Sequence, residues 1–149
     1  MASGGEVLKK HWVRQGIKLR PGASAAQLSA FEAKYDIRLP DDVRECFSAA
    51  NGFEDGECDN EYITFFPLEE IERLNASAWG LAVPASPYFV FADWSISAHI
   101  YAIHLSKEAA SNPVVVTYNK LIKVADSFGE FMEGYVAGDY AVLYPSEQV

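Results

Sequence analysis

The chain has 149 residues, of which half are hydrophobic, and it carries a formal net charge of −9. A chain of this length can bury one good core, so we expect a single domain. Residues 21–149 hold seven basic and twenty acidic residues, and because phosphate binding depends on Lys and Arg, this balance argues against nucleic acid or an anionic membrane as the partner and favours a basic protein.

The N-terminal segment, residues 1–22, is predicted to form a basic helix followed by a linker. Val7, Leu8, His11 and Trp12 would lie on one side of this helix. The basic residues of the segment are Lys9, Lys10, Arg14, Lys18 and Arg20. We interpret them as a solvated face that also pairs with the acidic body, and we leave open whether the segment contacts a partner.

Residues 24–52 are predicted to form two amphipathic helices that fold back on each other. Ser24, followed three residues later by Gln27, is a capping box that starts the first helix. Pro40 ends that helix and suits the start of the second, whose first turn is acidic. Gly52 can adopt the left-handed conformation that lets the chain leave the second helix. The apolar stripes consist of Leu28, Phe31 and Tyr35 in the first helix and Val43, Cys46, Phe47 and Ala50 in the second.

The stretch after this helix pair is the most acidic part of the chain, and it contains Glu54, Asp55, Glu57, Asp59 and Glu61. The alternation of acids imitates the start of a calcium-binding EF-hand loop, but Asn60 and Phe66 stand where the glycine and the bidentate Glu are required. Calcium binding is therefore disfavoured. We interpret the stretch as an exposed, mobile loop against which a basic protein can dock.

Further along the chain, aromatic and β-branched runs predict a sheet that leads into a last helix. Residues 98–105 are apolar on both faces, so this strand should be central. Leu68 to Leu74 should form a short helix, and Ser127 with Glu130 should form a second capping box. The predicted strands are 62–66, 89–93, 98–105, 114–118 and 121–125, with a further edge segment at 140–145.

The sequence indicates neither a catalytic nor a metal site. His99 and His104 are five positions apart, an odd separation that places them on opposite faces of a strand. Cys58 is surrounded by acidic residues that disfavour its thiolate, and the sequence has no glycine-rich phosphate-binding turn with a lysine. We therefore predict no catalytic residue, no metal and no cofactor.

Cysteine content and hydrophobicity favour a reduced, cytoplasmic location. Cys46 and Cys58 are too few for a disulfide framework, and charged residues near the N-terminus interrupt any signal peptide. The uncharged stretch 74–92 is broken by Gly80 and Pro84, so it is poorly suited to span a membrane.

Several motifs follow one another in a particular order along the chain. They are the capped helix at Ser24, Leu39-Pro40-Asp41-Asp42, Asn51-Gly52, Tyr62 to Phe66 with Leu68-Glu69-Glu70-Ile71, Phe89 to Asp93 with Tyr101-Ala102-Ile103, and Val124 to Phe131. This order resembles the SUKH superfamily, which includes fungal Smi/Knr-type cell-wall regulators and bacterial immunity proteins. The resemblance implies a single-domain SUKH-like α+β fold over residues 23–145, with an antiparallel or mixed sheet of about five to six strands and helices packed mainly on one face.

The resemblance also implies a non-catalytic protein-binding module. Many bacterial members neutralise a cognate toxin, frequently a nuclease, by binding it, so we predict an immunity protein, monomeric, whose partner is a basic toxin domain. The candidate binding residues, chosen for charge and exposure, are Glu54, Asp55, Glu57, Asp59, Glu61, Trp79, Asp93 and Trp94. The alternatives are a regulatory scaffold like the fungal members, a small enzyme with a pocket of convergent polar groups, and a housekeeping domain whose acidity serves solubility alone.

Overall fold

The computed structural model describes residues 4–74, 87–94, 99–108, 111–117 and 121–139. Within these ranges the chain forms helices and one sheet, which confirms the predicted α+β fold. The helices are α1 (Gly4–Arg14), α2 (Ala25–Tyr35), α3 (Asp41–Ala49) and α4 (Phe128–Ala137). The strands are β1 (Ile63–Phe65), β2 (Glu72–Arg73), β3 (Tyr88–Trp94), β4 (His99–His104), β5 (Val114–Thr117) and β6 (Leu121–Ala125).

The described strands form one antiparallel sheet in the order β1-β3-β4-β5-β6, with β2 also paired to β3. The central position of β4 agrees with its two apolar faces. Tyr101 and Ile103 point from β4 into the main core, whereas Ile100 points into a small cluster on the other face with Leu74. This arrangement confirms the predicted alternation of side chains along the strand.

Side chains accept hydrogen bonds from backbone N–H groups in the first turns of α2, α3 and α4. Ser24 Oγ accepts a hydrogen bond from the backbone N–H of Gln27, and Gln27 Oε1 accepts one from Ser24 N–H, which confirms the first capping box. Asp42, in the first turn of α3, accepts from Val43 N–H through Oδ1 and from Gly129 N–H through Oδ2. One carboxylate therefore serves the first turns of both α3 and α4.

The main core lies between the helices and one face of the sheet, and it is rich in aromatic rings. The ring centroid of Trp12 lies 4.9 Å from that of Phe53 and 5.1 Å from that of Phe65. All four described helices contribute buried residues to this core. Cys46 is among them, and burial raises the pKa of its thiol, so it packs as a small hydrophobe.

Helix α1 packs against α3 and α4. A Cβ atom on Gly5 would lie 2.4 Å from the backbone oxygen of Glu45, so the glycine permits the close approach of α1 and α3. Leu8 and Trp12 are buried beneath the helix, while its basic residues on the opposite side are exposed. The N-terminal helix is thus fixed to the body on one side and solvated on the other.

The prediction of one short helix over residues 68–74 is wrong in part. A 3₁₀ turn spans Leu68–Glu70, and the chain then pairs with β3 as β2. Leu74 N–H donates to Tyr88 O and continues the ladder. Apolar residues spaced by three positions suited a helix, but pairing with the edge of β3 prevailed over that local pattern.

Only one of the two hydrogen bonds of the second predicted capping box is present. Ser127 Oγ accepts from Glu130 N–H, as predicted, but Glu130 Oε2 accepts from Asp126 N–H. The predicted edge segment at 140–145 and the loop that carries Trp79 lie outside the described residues.

Replacing Gly52 with Ala should lower the free energy of unfolding by about 3 kcal/mol, measured by urea denaturation. Gly52 has a φ of +78°, and a Cβ atom there would lie 2.5 Å from the backbone of Phe66 and Pro67. Gly56→Ala is the matched control, because its φ is +83° but nothing lies within 4 Å of the added atom. Gly56→Ala should lower the free energy of unfolding by only about 1 kcal/mol, which is the cost of placing alanine in a left-handed backbone conformation. Equal losses in the two variants would contradict the close packing at Gly52.

Candidate protein-interaction site

The acidic segment, residues 54–61, joins the helix pair to β1 and lies against the chain that follows α1. The backbone N–H of Glu54 donates to Lys18 O at 2.9 Å, and Lys18 N–H donates to Glu57 Oε1 at 2.7 Å. The N–H of Asn60, near the other end of the segment, donates to Oε1 of Gln15, the residue that directly follows α1. The segment is therefore held at several points by the N-terminal part of the chain.

Arg20 reinforces this attachment with its side chain. Its Nε donates to Phe53 O at 2.9 Å and its Nη2 donates to Asp55 Oδ1 at 2.7 Å, while Glu70 Oε2 lies 3.7 Å away. The adjacent residue Leu19 forms an isolated antiparallel bridge with Phe53. The expectation that basic residues of the N-terminal segment pair with the acidic body is confirmed at Arg20.

Asp59 is buried, so the expectation that it lies exposed with its acidic neighbours is wrong. Its Oδ1 accepts hydrogen bonds from Glu61 N–H and Ile63 N–H, both at 2.8 Å, and its Oδ2 accepts one from the hydroxyl of Tyr135. The same hydroxyl accepts from Trp12 Nε1 at 2.9 Å. Burial and the nearby Asp59 charge raise the pKa of Tyr135, so its phenol stays protonated and can donate.

Four exposed acids and one half-buried acid, Glu57, form what we call the acidic surface: Glu54, Asp55, Glu57, Glu69 and Glu70. The side chain of Asp55 is 90% exposed. A shallow cleft of about 520 Å³ runs between Asp55 and the pair Glu69 and Glu70, with Arg20 at its side. Glu69 and Glu70 are not among the binding residues predicted from the sequence; the signal that could have found them is the acidic pair after Pro67 and Leu68.

Strand register brings Asp93 and Trp94 close to the acidic segment. In the pairing of β1 with β3, Thr64 lies opposite Asp93 and Ile63 opposite Trp94. Trp94 is half-buried, packs against the main core and stacks on the ring of His99 at a centroid distance of 5.5 Å. Trp94 therefore offers only part of its indole to a partner.

The carboxylates of the acidic surface can accept hydrogen bonds and ion pairs from cationic groups. Glu54, Asp55, Glu69 and Glu70 are exposed to water, and Glu57 is half-buried. Across the part of the chain that the structure describes, no three His, Cys, Asp or Glu side chains are grouped so as to hold a metal ion. His99 and His104 occupy opposite ends of β4, and His99 Nδ1 lies 2.6 Å from Thr117 O.

Replacing Tyr135 with Phe should lower the free energy of unfolding by about 2 kcal/mol in urea denaturation. The ring is kept, but Trp12 Nε1 and Asp59 Oδ2 each lose a buried hydrogen-bond partner. Asp55→Asn is the control, since this exposed carboxylate should contribute less than about 0.5 kcal/mol. If the two variants lose the same stability, the buried hydrogen bonds do not hold the segment in place.

Comparison with protein families agrees with the fold of the described residues. The model of the SMI1 / KNR4 family (SUKH-1) matches residues 22–134, whereas no curated protein gave a significant match. None of the helices in the described ranges is long and apolar enough to cross a membrane. The match covers most of the chain and includes α2, α3, all described strands and most of α4, and it supports an immunity or regulatory role exercised through protein binding. The chain belongs to the SMI1 / KNR4 family (SUKH-1).

Proposed function

We propose that this protein is a non-catalytic immunity protein that binds and neutralises a basic toxin domain through the acidic surface. The observation that carries the proposal is the way the acidic segment is held. One acid, Asp59, is buried as an anchor, and its neighbours Glu54, Asp55 and Glu57 are left at the surface. Carboxylates held in place before binding lose less conformational entropy when a partner docks.

The charge of this surface indicates the chemistry of the partner. Arg20 neutralises Asp55 in part, but the acidic surface has five carboxylates against this one arginine at its cleft. A nuclease toxin would offer the complement, because its substrate cleft is basic in order to bind phosphate. An acidic surface facing such a cleft would both accelerate encounter and block access of the nucleic acid.

Asp93 and Trp94 would form the edge of the contact, and Glu61 would lie between them and the acidic surface. The pairing of β1 with β3 supports this placement. An indole that is half-buried is already oriented by its own protein, so it can contribute apolar contact at low entropic cost. Trp79, which lies outside the described residues, stays a predicted second anchor.

The triple variant Glu54→Gln, Asp55→Asn, Glu57→Gln should bind the toxin with an association rate about tenfold lower at low salt. The toxin is obtained by co-purification with the tagged full-length chain from its native host, and rates are measured by surface plasmon resonance. Binding of the unchanged chain should weaken steeply as salt rises, because exposed charges are screened. Growth rescue on co-expression with that toxin tests neutralisation directly.

A control variant with the same change of net charge separates local contact from overall charge. Asp41→Asn, Glu108→Gln, Glu130→Gln alters three exposed acids that are neither part of the acidic surface nor next to it in sequence. It should bind at nearly the rate of the unchanged chain and should still rescue growth. Equal loss in both triple variants, or co-purification of an acidic partner insensitive to salt, would refute the proposed site.

A further inference from the structure

A second concave feature lies on the helical side of the molecule, away from the acidic surface. It is a groove of about 430 Å³ between α1, α3 and α4, which we call the three-helix groove. Its floor is apolar and consists of Leu8, Cys46, Phe128 and Met132. The volume is enough to admit one or two large apolar side chains, and it lies near the lower end of the range for ligand pockets.

The walls of the groove leave apolar surface in contact with water. Val7 of α1 is 42% exposed, which places it among the few exposed large hydrophobic residues in the described ranges. Val136 of α4 lines the other side and is half-buried. Apolar side chains on two walls above an apolar floor form a continuous surface that another hydrophobic group could cover.

Among the described residues that line the groove, every charged side chain is acidic. Glu45 and Glu133 are exposed at its rim, and neither forms an ion pair with the residues that the structure describes. Asp42 also lines the groove, but both of its oxygens are taken by backbone N–H groups of α3 and α4. The described lining includes no Lys, Arg or His, so two free carboxylates flank the apolar surface.

These observations specify the occupant by its chemistry. We propose that the three-helix groove docks a short amphipathic segment of a partner protein, in which an aliphatic or aromatic side chain is flanked by Lys or Arg. The apolar side chain would lie on Met132 between Val7 and Val136, and the flanking cations would meet Glu45 and Glu133. This is the helix-in-groove mode of peptide recognition, with charge fixing the orientation.

The inference is independent of the acidic surface and of its toxin. The groove is lined by the first turns of α1, whereas the acidic segment is attached beyond the end of that helix. An eleven-residue helix is about 16 Å long, so the two sites can be altered separately. A negative result in the binding test of one site therefore neither supports nor contradicts the proposal for the other site.

The test is a titration of the isotope-labelled full-length chain, followed by NMR of its amide signals. The probe is a blocked synthetic peptide of about eighteen residues, long enough to form a helix, with leucines on one face and lysines on the other. It should shift the signals of Val7, Met132 and Val136 to saturation. Two control peptides, one with glutamates in place of the lysines and one with serines in place of the leucines, should leave these signals unchanged.

Variants of the protein separate charge from apolar contact. Glu45→Gln with Glu133→Gln should weaken binding about three- to tenfold, as expected for two exposed ion pairs. The control pair Glu72→Gln with Glu108→Gln removes the same charge elsewhere and should bind like the unchanged chain. Val7→Lys, at an exposed position that should not disturb folding, should weaken binding more than tenfold because it places a cation in the groove.

Three results would overturn the proposal. The first is the absence of saturable shifts with the leucine-lysine peptide. The second is a set of shifts confined to the acidic surface, at Glu54 and Asp55. The third is equal affinity for the double variant at Glu45 and Glu133 and for its control.

Discussion

Asp59 accepts hydrogen bonds from parts of the chain that are far apart in sequence. Its carboxylate holds the turn that leads into β1 and also the hydroxyl of Tyr135 in α4, and that hydroxyl in turn holds the indole of Trp12 in α1. A buried carboxylate is tolerated only when such partners satisfy it. The position of the acidic segment, the docking of α1 and the last turn of α4 are therefore determined together by one buried cluster.

This cluster explains how a highly acidic segment can have a defined shape. Like charges close in sequence repel each other, and a segment of this composition would by itself remain extended and mobile. Here one carboxylate is withdrawn into the core, and Arg20 and the backbone of Lys18 hold two more at the surface. The repulsion that remains is directed outward, where a cationic partner would relieve it.

Most of the framework follows from local patterns. The capping box at Ser24, the left-handed Gly52 and the alternation along β4 each depend on a few neighbouring residues, so the sequence predicts them. The burial of the Asp59 side chain cannot be predicted from local sequence. Its acidic neighbours have the same chemistry, and only its hydrogen bond with the distant Tyr135 distinguishes it. The same holds for β2, since its pairing depends on an edge of β3 that local periodicity does not reveal.

The N-terminal helix gives this member of the family a surface that the family model alone does not describe. The match begins at residue 22, yet Trp12, Lys18 and Arg20 make the contacts that hold the acidic segment, and Leu8 forms part of the three-helix groove. A core that buries Trp12 between Phe53 and Phe65 cannot lose that helix without leaving a large cavity. The cleft of the acidic surface and the three-helix groove are both lined in part by α1 or by the residues that follow it, so substitutions in residues 4–22 would alter these surfaces without touching the sheet or the α2–α3 pair.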